Sequence, residues 1–207
     1  MDLSTPWAVI RSPVDAEVLL VLHGTTRPLT GREVARLVRS GSQPTVNAAL
    51  RRLAAEGVAL AEEAGNAYLY TLNREHLAAA AIESLAAIRA ELERRLREEI
   101  TSWEIAPSHV SLFGSAARGD GDSHSDIDIF LVRPDRLPAD DAVWRGQLER
   151  LAERIHAWTG NQAALAEVSA ADLRRLRRER PPIVTELERE AVALAGPPPN
   201  ELLRARR

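Results

Sequence analysis

Apolar residues recur at three- and four-residue steps along the first part of the chain, which is the spacing of helices with one buried face. The pattern predicts a short helix over residues 15–23 and a second helix that begins at Thr30. Thr30 and Glu33 have the spacing of a capping box, in which each side chain accepts a hydrogen bond from the other residue's backbone N–H. A third helix is predicted over residues 42–56, and Gly57 follows it as a terminating residue.

The next segment, VALAEEAGNAYLYTL, carries two short strand-like runs around the turn residues Gly65 and Asn66, which predicts a β-hairpin. Three helices followed by a hairpin resemble the element order of winged helix-turn-helix domains, and the resemblance covers residues 1–72. It implies that the third helix enters the major groove of DNA. The candidate DNA contacts are Gln43, Thr45, Asn47, Arg51 and Arg52.

Charge argues against DNA as the partner of this region. Its arginines and acidic residues balance, and Glu62 and Glu63 in the hairpin repel phosphate wherever they face it. Winged helices also serve as docking or dimerisation modules. The sequence therefore leaves DNA and a partner protein open as alternatives.

Residues 73–104 carry one sustained apolar stripe, with glutamate and arginine on the other faces, and are predicted to form a long connecting helix. Packing against a core and the seam of a homodimer both fit such a stripe. Its members are Leu77, Ala81, Leu85, Ile88, Leu92, Leu96 and Trp103.

Strand and helix patterns alternate in the second half of the chain, which predicts a small α/β unit over residues 105–196 with a flexible tail over 197–207. Together the patterns predict an α+β protein: a winged helix-turn-helix, a connecting helix and an α/β unit with a mixed sheet. In the second half, strands are predicted over 109–113, 126–132 and 163–168, and helices over 140–159, after the cap formed by Ser169 and Asp172, and over 182–194.

The candidate chemistry lies in SLFGSAARGDGDSHSDIDIFLV, residues 111–132. Gly114 and Ser115 stand where a strand meets a helix start, a place whose free N–H groups favour an anion. Strand alternation puts Asp126 and Asp128 on one face, roughly 7 Å apart. Carboxylates so placed suit hard divalent ions, and without a cation their repulsion raises one pKa.

GSAARG followed by SDIDIFLV resembles the DNA polymerase β-like nucleotidyltransferase superfamily, and within it the minimal nucleotidyltransferase branch. The resemblance covers roughly residues 107–195. It implies that Gly114 and Ser115 bind the triphosphate of an NTP, that Asp126 and Asp128 ligate Mg²⁺ or Mn²⁺, and that Arg118 either contacts phosphate or pins its loop.

The same resemblance implies a third carboxylate from a later strand, as metal ligand or general base. Glu167, in LAEV, is the best candidate for both roles. A shifted register places Ala164 at this position and leaves no carboxylate there. The sequence does not decide between the two registers.

Composition limits the function classes. The chain of 207 residues contains no cysteine, which excludes thiolate chemistry, and no lysine, so every basic side chain other than histidine is arginine. No signal-peptide pattern and no apolar run of about 20 residues is present, so we expect a cytoplasmic protein without membrane contact.

Three functions follow as hypotheses. The first is an Mg²⁺-dependent nucleotidyltransferase (EC 2.7.7.-) that moves a nucleoside monophosphate from an NTP to a hydroxyl, targeted or regulated by the winged helix. The second is a DNA-binding regulator whose transferase domain senses a nucleotide without turnover. The third is an antitoxin-like component that modifies a partner protein.

Overall fold

The computed structural model describes residues 4–204. The chain divides into two compact units, Met1–Ile88 and Arg89–Arg207. The predicted α+β class is confirmed, because each unit combines helices with its own sheet. None of the helices within residues 4–204 is long and apolar enough to cross a bilayer.

Three helices in the first unit begin at side-chain caps. Thr30 and Glu33 form the predicted capping box, and Ser12 and Asp15 form a second one. Ser42 caps the third helix. After a single 3₁₀ turn, Pro6–Val9, the helices are α1 Pro13–His23, α2 Gly31–Leu37 and α3 Gln43–Ala55.

A three-stranded antiparallel sheet completes the first unit, in the order β1-β3-β2. Its strands are β1 Leu29–Thr30, β2 Ala59–Ala64 and β3 Ala67–Leu72. The core between helices and sheet is mainly aliphatic and includes Val18, Leu22, Leu50 and Leu53, all of them fully buried. The three helices and the hairpin follow in the predicted order, β1 is an addition that the sequence pattern did not indicate, and the winged-helix interpretation stays a prediction.

The prediction of a single connecting helix over residues 73–104 is wrong. The segment forms two helices, α4 Ala79–Ala86 and α5 Ile88–Thr101, separated at Ala87. The apolar stripe is shared between two cores, since Ile82 packs in the first unit and Leu96 and Ile100 pack in the second. The apolar residues of this segment are therefore buried by two different cores and not by one.

The second unit is built on a four-stranded mixed sheet in the order β6-β5-β4-β7. The central pair β4–β5 is antiparallel, β5–β6 is parallel, and β7 pairs antiparallel with β4. The strands are β4 His109–Phe113, β5 Ile127–Val132, β6 Ala163–Val168 and β7 Val192–Ala195. The predicted mixed sheet is confirmed.

Helices cover both faces of this sheet. The helices of the second half are α6 Gly114–Arg118, α7 Ala142–Thr159, α8 Ala170–Glu179, α9 Pro182–Glu190 and α10 Pro199–Leu202. On one face, α5 and α7 bury a core that contains Ile129, Leu131 and Trp144. On the other face, α8, α9 and α10 bury Phe130 and Val132.

The predicted C-terminal organisation needs two corrections. The last long helix ends at Glu190, and Val192–Ala195 forms an edge strand that the sequence pattern did not indicate. The predicted flexible tail folds back instead, because Leu202 and Leu203 are buried against the α8–α9 side of the sheet. Residues 205–207 of that predicted tail lie outside the described residues.

Candidate functional site

Asp126 and Asp128 stand at the beginning of β5. Asp126 immediately precedes the strand and is exposed, and Asp128 is the second strand residue and half-buried. Within residues 4–204, neither carboxylate makes a hydrogen bond or an ion pair. The neighbours Ile127 and Ile129 point the other way, into the core. Asp128 therefore lies on the face opposite Ile127 and Ile129, and Asp126 stands next to the strand start.

The Gly114–Ser115 turn lies directly against this pair. Phe113, at the end of β4, is paired with Asp128. Gly114 follows with a positive φ of 65°, and a β-carbon there would lie 2.2 Å from Oδ2 of Asp128. Only glycine fits this conformation and this contact. The backbone at Gly114 therefore borders the Asp128 carboxylate.

The environment disfavours charge on Asp128. Burial raises the pKa of its carboxyl, and the neighbouring Asp126 raises it further, while Arg118 acts in the opposite direction. A divalent cation between the two carboxylates would offset both effects. The electrostatics therefore favour a cation at this place.

Arg118 is held by two carboxylates. Its Nε donates to Asp120 at 3.0 Å, and its Nη1 donates to the nearly buried Glu190 at 2.6 Å. Of the two roles implied for Arg118, these contacts favour pinning the loop over binding phosphate. Glu190 was missed by the sequence reasoning, because it lies 72 residues further along the chain, at the end of α9.

The loop before the aspartates is held by its own polar groups. Asp122 accepts hydrogen bonds from the backbone of His124 and from Ser125, and these bonds lower its pKa. Asn161, which lies between α7 and β6, donates to the carbonyls of Asp122 and Ser125 at 3.1 and 2.7 Å. Asn161 therefore fixes the approach of the chain to Asp126.

Glu167 does not join the pair, so its assignment as catalytic residue and metal ligand is corrected. In the parallel β5–β6 register it lies opposite Leu131, on the α7 side of the sheet. Its carboxylate forms an ion pair with Arg133 and accepts a hydrogen bond from Nε1 of Trp144 at 3.0 Å. It lies three positions after Ala164, which is the residue beside Asp128, and strand alternation turns its side chain to the opposite face.

Ala164 occupies the position that a third carboxylate would need. It is the register partner of Asp128 in β6 and shares its face. Within residues 4–204, no group of three or more histidine, aspartate or glutamate side chains is arranged to hold a metal ion. Among the described residues, this place therefore offers two carboxylates and no third.

A separate cleft of about 520 Å³ lies in the first unit, between α3 and the β2–β3 hairpin. Gln43, Asn47 and Arg51, spaced four residues apart, line it with one face of α3. Arg32 and Tyr68 also line it and were not among the candidates. The sequence pattern could not place them beside α3, because they come from two other elements, α2 and β3.

Two predicted DNA contacts have other roles. Arg52 is mostly buried, forms ion pairs with Asp15 and Glu56, and donates to the carbonyl of Val9, so its assignment as a DNA contact is corrected. Thr45 is exposed at the start of α3, where its hydroxyl lies 2.9 Å from that of Ser42, and it does not line the cleft. Helical spacing alone did not distinguish the exposed Arg51 from Arg52, which is held in ion pairs.

Comparison with known proteins gives low overall similarity. No curated protein matches the chain. A toxin–antitoxin crystal structure with AMP-PNP shares 18% identity over 54% of this chain and 79% of that chain, with a TM-score of 0.37. The archaeal chromatin protein TrmBL2 shares 15% identity over 86% of this chain and 72% of that chain, with a TM-score of 0.31. These TM-scores are too low for a conclusion about this chain.

One comparison bears directly on the site. Gly114, Ser115, Asp126 and Asp128 all lie within a single continuous stretch of the second unit. Residues 91–186, which contain all four, match the model of the nucleotidyltransferase domain family.

Proposed function

We propose that the second unit binds a nucleoside triphosphate together with Mg²⁺ or Mn²⁺ and transfers the nucleoside monophosphate to a hydroxyl acceptor. The family match over residues 91–186 supports nucleotidyl transfer in general. The proposal of NTP and metal binding rests on Asp126 and Asp128, which have no hydrogen-bond or ion-pair partner within residues 4–204 and stand beside the Gly114 backbone.

The residues present fit a divalent cation that arrives with its nucleotide. Mg²⁺ is commonly bound through one or two carboxylates, with phosphate oxygens and water completing an octahedron. Asp126 and Asp128 supply those carboxylates, and a cation between them would relieve the repulsion that, after burial, raises the pKa of Asp128. When bound, the ion supplies Lewis-acid activation of the phosphoryl group and of the acceptor hydroxyl.

The other residues of the site have separable tasks. Gly114 lets a phosphate approach the backbone, and the Ser115 hydroxyl adds a hydrogen-bond donor. Arg118 and Glu190 hold the loop that follows Ser115. Ala164 offers no general base. The acceptor's proton must therefore leave without help from β6, and we expect slow turnover.

A second candidate function rests on Ala164 alone. If nucleotide binding persists while transfer is negligible, the second unit acts as a nucleotide sensor for the first. The two functions differ in one measurable quantity, which is chemical turnover at saturating nucleotide.

The decisive experiment measures binding and turnover on the same protein. Purified full-length chain is titrated with each of the four NTPs in MgCl₂, and is then incubated with α-labelled NTP in the presence of cell lysate. We expect saturable binding and label on an acceptor. The matched control is the Asp126→Ala, Asp128→Ala double variant.

Each outcome has a defined meaning. Transfer by wild type above the double variant supports the transferase. Binding without any excess of label supports the sensor and excludes the transferase. Equal nucleotide affinity of wild type and double variant, at equal thermal stability, contradicts both.

For the first unit, we propose that the α3 cleft binds duplex DNA and so targets or regulates the second unit. Arg32 and Arg51 line the cleft, and neither forms an ion pair within the described part of the chain. Some acids of this unit are engaged elsewhere, in caps and arginine pairs, as Asp15 and Glu33 show, while Glu63 accepts a hydrogen bond from the cleft residue Tyr68. The sequence charge balances, yet the residues that line the cleft include two cations and no carboxylate.

Adjacent arginines of α3 test this proposal. Arg51→Ala should weaken binding to a mixed-sequence duplex with little loss of stability. The slope of log Kd against log salt concentration should fall by about one, which corresponds to one lost phosphate contact. Arg52→Ala should lower the melting temperature instead, because it leaves the buried Asp15 without its partner. Unchanged duplex affinity in the Arg51 variant would exclude this face, and docking of a protein would then be the remaining role.

A further inference from the structure

A bound triphosphate carries several negative charges, and the proposed site holds few cations to meet them. The chain has no lysine, so guanidinium groups are its only permanently charged cations apart from the N-terminus. Arg118 is the arginine within the motif, and both Asp120 and Glu190 already neutralise it. The phosphates therefore need another arginine.

Arg89 lies against the same loop from a different element. It stands in the first turn of α5, before the matched family range begins. A β-carbon on Gly119 would lie 2.9 Å from Nη1 of Arg89, so the guanidinium rests directly on this glycine. Gly119 also has a φ of 76°, which favours glycine independently.

The loop that Arg89 touches closes over Ser115. The backbone N–H groups of Gly119 and Asp120 donate to the carbonyl of Ser115 at 2.8 and 3.1 Å. A β-carbon on Gly121 would lie 2.9 Å from the Ser115 hydroxyl oxygen. Arg89 thus borders the backbone segment that surrounds the proposed phosphate-binding hydroxyl.

Arg89 has the freedom that Arg118 lacks. Within residues 4–204 its one ion pair is with Glu93, through Nε at 3.6 Å, and its side chain is 48% exposed. The two Nη groups make no ion pair in this range, and they are the atoms that form a two-pronged contact with phosphate.

We propose that Arg89 is a phosphate-binding residue of the nucleotide site, contributed from outside the Gly-Ser and Asp-x-Asp segments. The inference rests on the proposed nucleotide binding by the second unit. It assigns the loop-pinning role to Arg118 and recognition of the terminal phosphates to Arg89. Arg89 therefore sets the preference for triphosphate over monophosphate.

The test compares affinities for ligands with different numbers of phosphates. Full-length wild type, Arg89→Ala and Arg89→Lys are titrated with Mg²⁺ and the NTP that wild type binds best, and then with the corresponding NMP. Arg94→Ala is the matched control, since Arg94 is exposed on the same helix and pairs with Glu91 and Glu98. We expect Arg89→Ala to lose about ten- to a hundredfold in NTP affinity, with NMP affinity nearly unchanged. Arg89→Lys should recover part of the loss, because it keeps the charge without the planar fork.

The failures are distinguishable. Absence of nucleotide binding by wild type overturns the proposed function and this inference with it. Equal NTP affinity of Arg89→Ala and Arg94→Ala overturns the inference alone. Equal loss for NTP and NMP in Arg89→Ala also overturns it, because that result describes a residue that only supports the loop.

Discussion

The two faces of the second unit's sheet carry half-buried carboxylates of opposite character. On the α7 face, Glu167 has an arginine partner and an indole N–H donor. On the α9 face, Asp128 has no partner within residues 4–204, and burial together with the like charge of Asp126 raises its pKa. Both side chains come from neighbouring strands of one sheet, Glu167 from the edge strand β6 and Asp128 from β5, so their difference lies in the groups that surround them.

The difference between Glu167 and Asp128 distinguishes a carboxylate that stabilises the fold from one that is available to a ligand. A half-buried carboxylate with hydrogen-bonded partners adds to the fold, and one without them costs folding free energy. A folded chain retains the second kind where a ligand restores the balance. The polar residues of the α9 face fit this description more broadly, because the buried Ser111 hydroxyl there also lacks a hydrogen bond in the described structure.

Asp128→Asn should give the largest effect and the sharpest contrast with the other face. We expect nucleotidyl transfer to fall by on the order of a hundredfold or more, since the substitution removes a charged metal ligand. Thermal stability should stay equal or rise, because the charged form is disfavoured in the fold. Label transfer and calorimetry on one preparation measure both quantities, and a fall in melting temperature would contradict the assignment of Asp128 as an unsatisfied group.

His109 gives the next largest effect, through pH. It is fully buried on the same face as Asp128, and burial lowers its pKa to about 4 from an ordinary value near 6.5. The folded state then binds fewer protons than the unfolded state between these values. Stability should be complete above pH 6.5 and should fall as the pH drops toward 4, by about 3 kcal/mol in total.

Urea unfolding at several pH values checks this expectation. The matched variant is His109→Leu, whose unfolding free energy should lack this component of the pH dependence. If wild type and variant show the same slope between pH 4 and 6.5, then the imidazole does not cause the loss.

The sequence was sufficient for features that depend on local order. Thr30 with Glu33 and Ser169 with Asp172 form the predicted capping boxes, and strand alternation placed Asp128 on the face opposite Ile127 and Ile129. These predictions need only the spacing between neighbouring residues. The register of a parallel strand depends on the whole βαβ connection, and for this reason Glu167 and Ala164 stayed open until the pairing was seen.

Features that depend on distant partners were out of reach. The apolar stripe of residues 73–104 predicted one helix because periodicity does not reveal that two separate cores divide it. Leu202 and Leu203 lie in a Pro-rich end that reads as a tail, yet they fill the core beside α9. Glu190 and Asn161 reach the site from elements far along the chain.

Glu167→Gln tests the other side of the comparison with a smaller effect. The substitution removes the negative charge that pairs with Arg133 and leaves a mostly buried guanidinium without its partner. We expect a loss of about 2 kcal/mol in the free energy of unfolding, with nucleotide affinity unchanged. Loss of transfer in a folded, stable Glu167→Gln protein would restore Glu167 as a catalytic residue.

Ala164→Asp has the smallest expected effect, and it decides between transferase and sensor. Ala164 is aligned with Asp128 across β5 and β6 and is half-buried on the same face, so an aspartate there adds a third carboxylate beside the pair. If the site is a transferase that lacks a general base, transfer should rise by about tenfold, with an optimum that follows the ionisation of the new group. If the acceptor never enters the site, nucleotide binding will change and turnover will not. A rise in transfer caused by Ala164→Asp alone would therefore mean that the site already holds every other catalytic component in place.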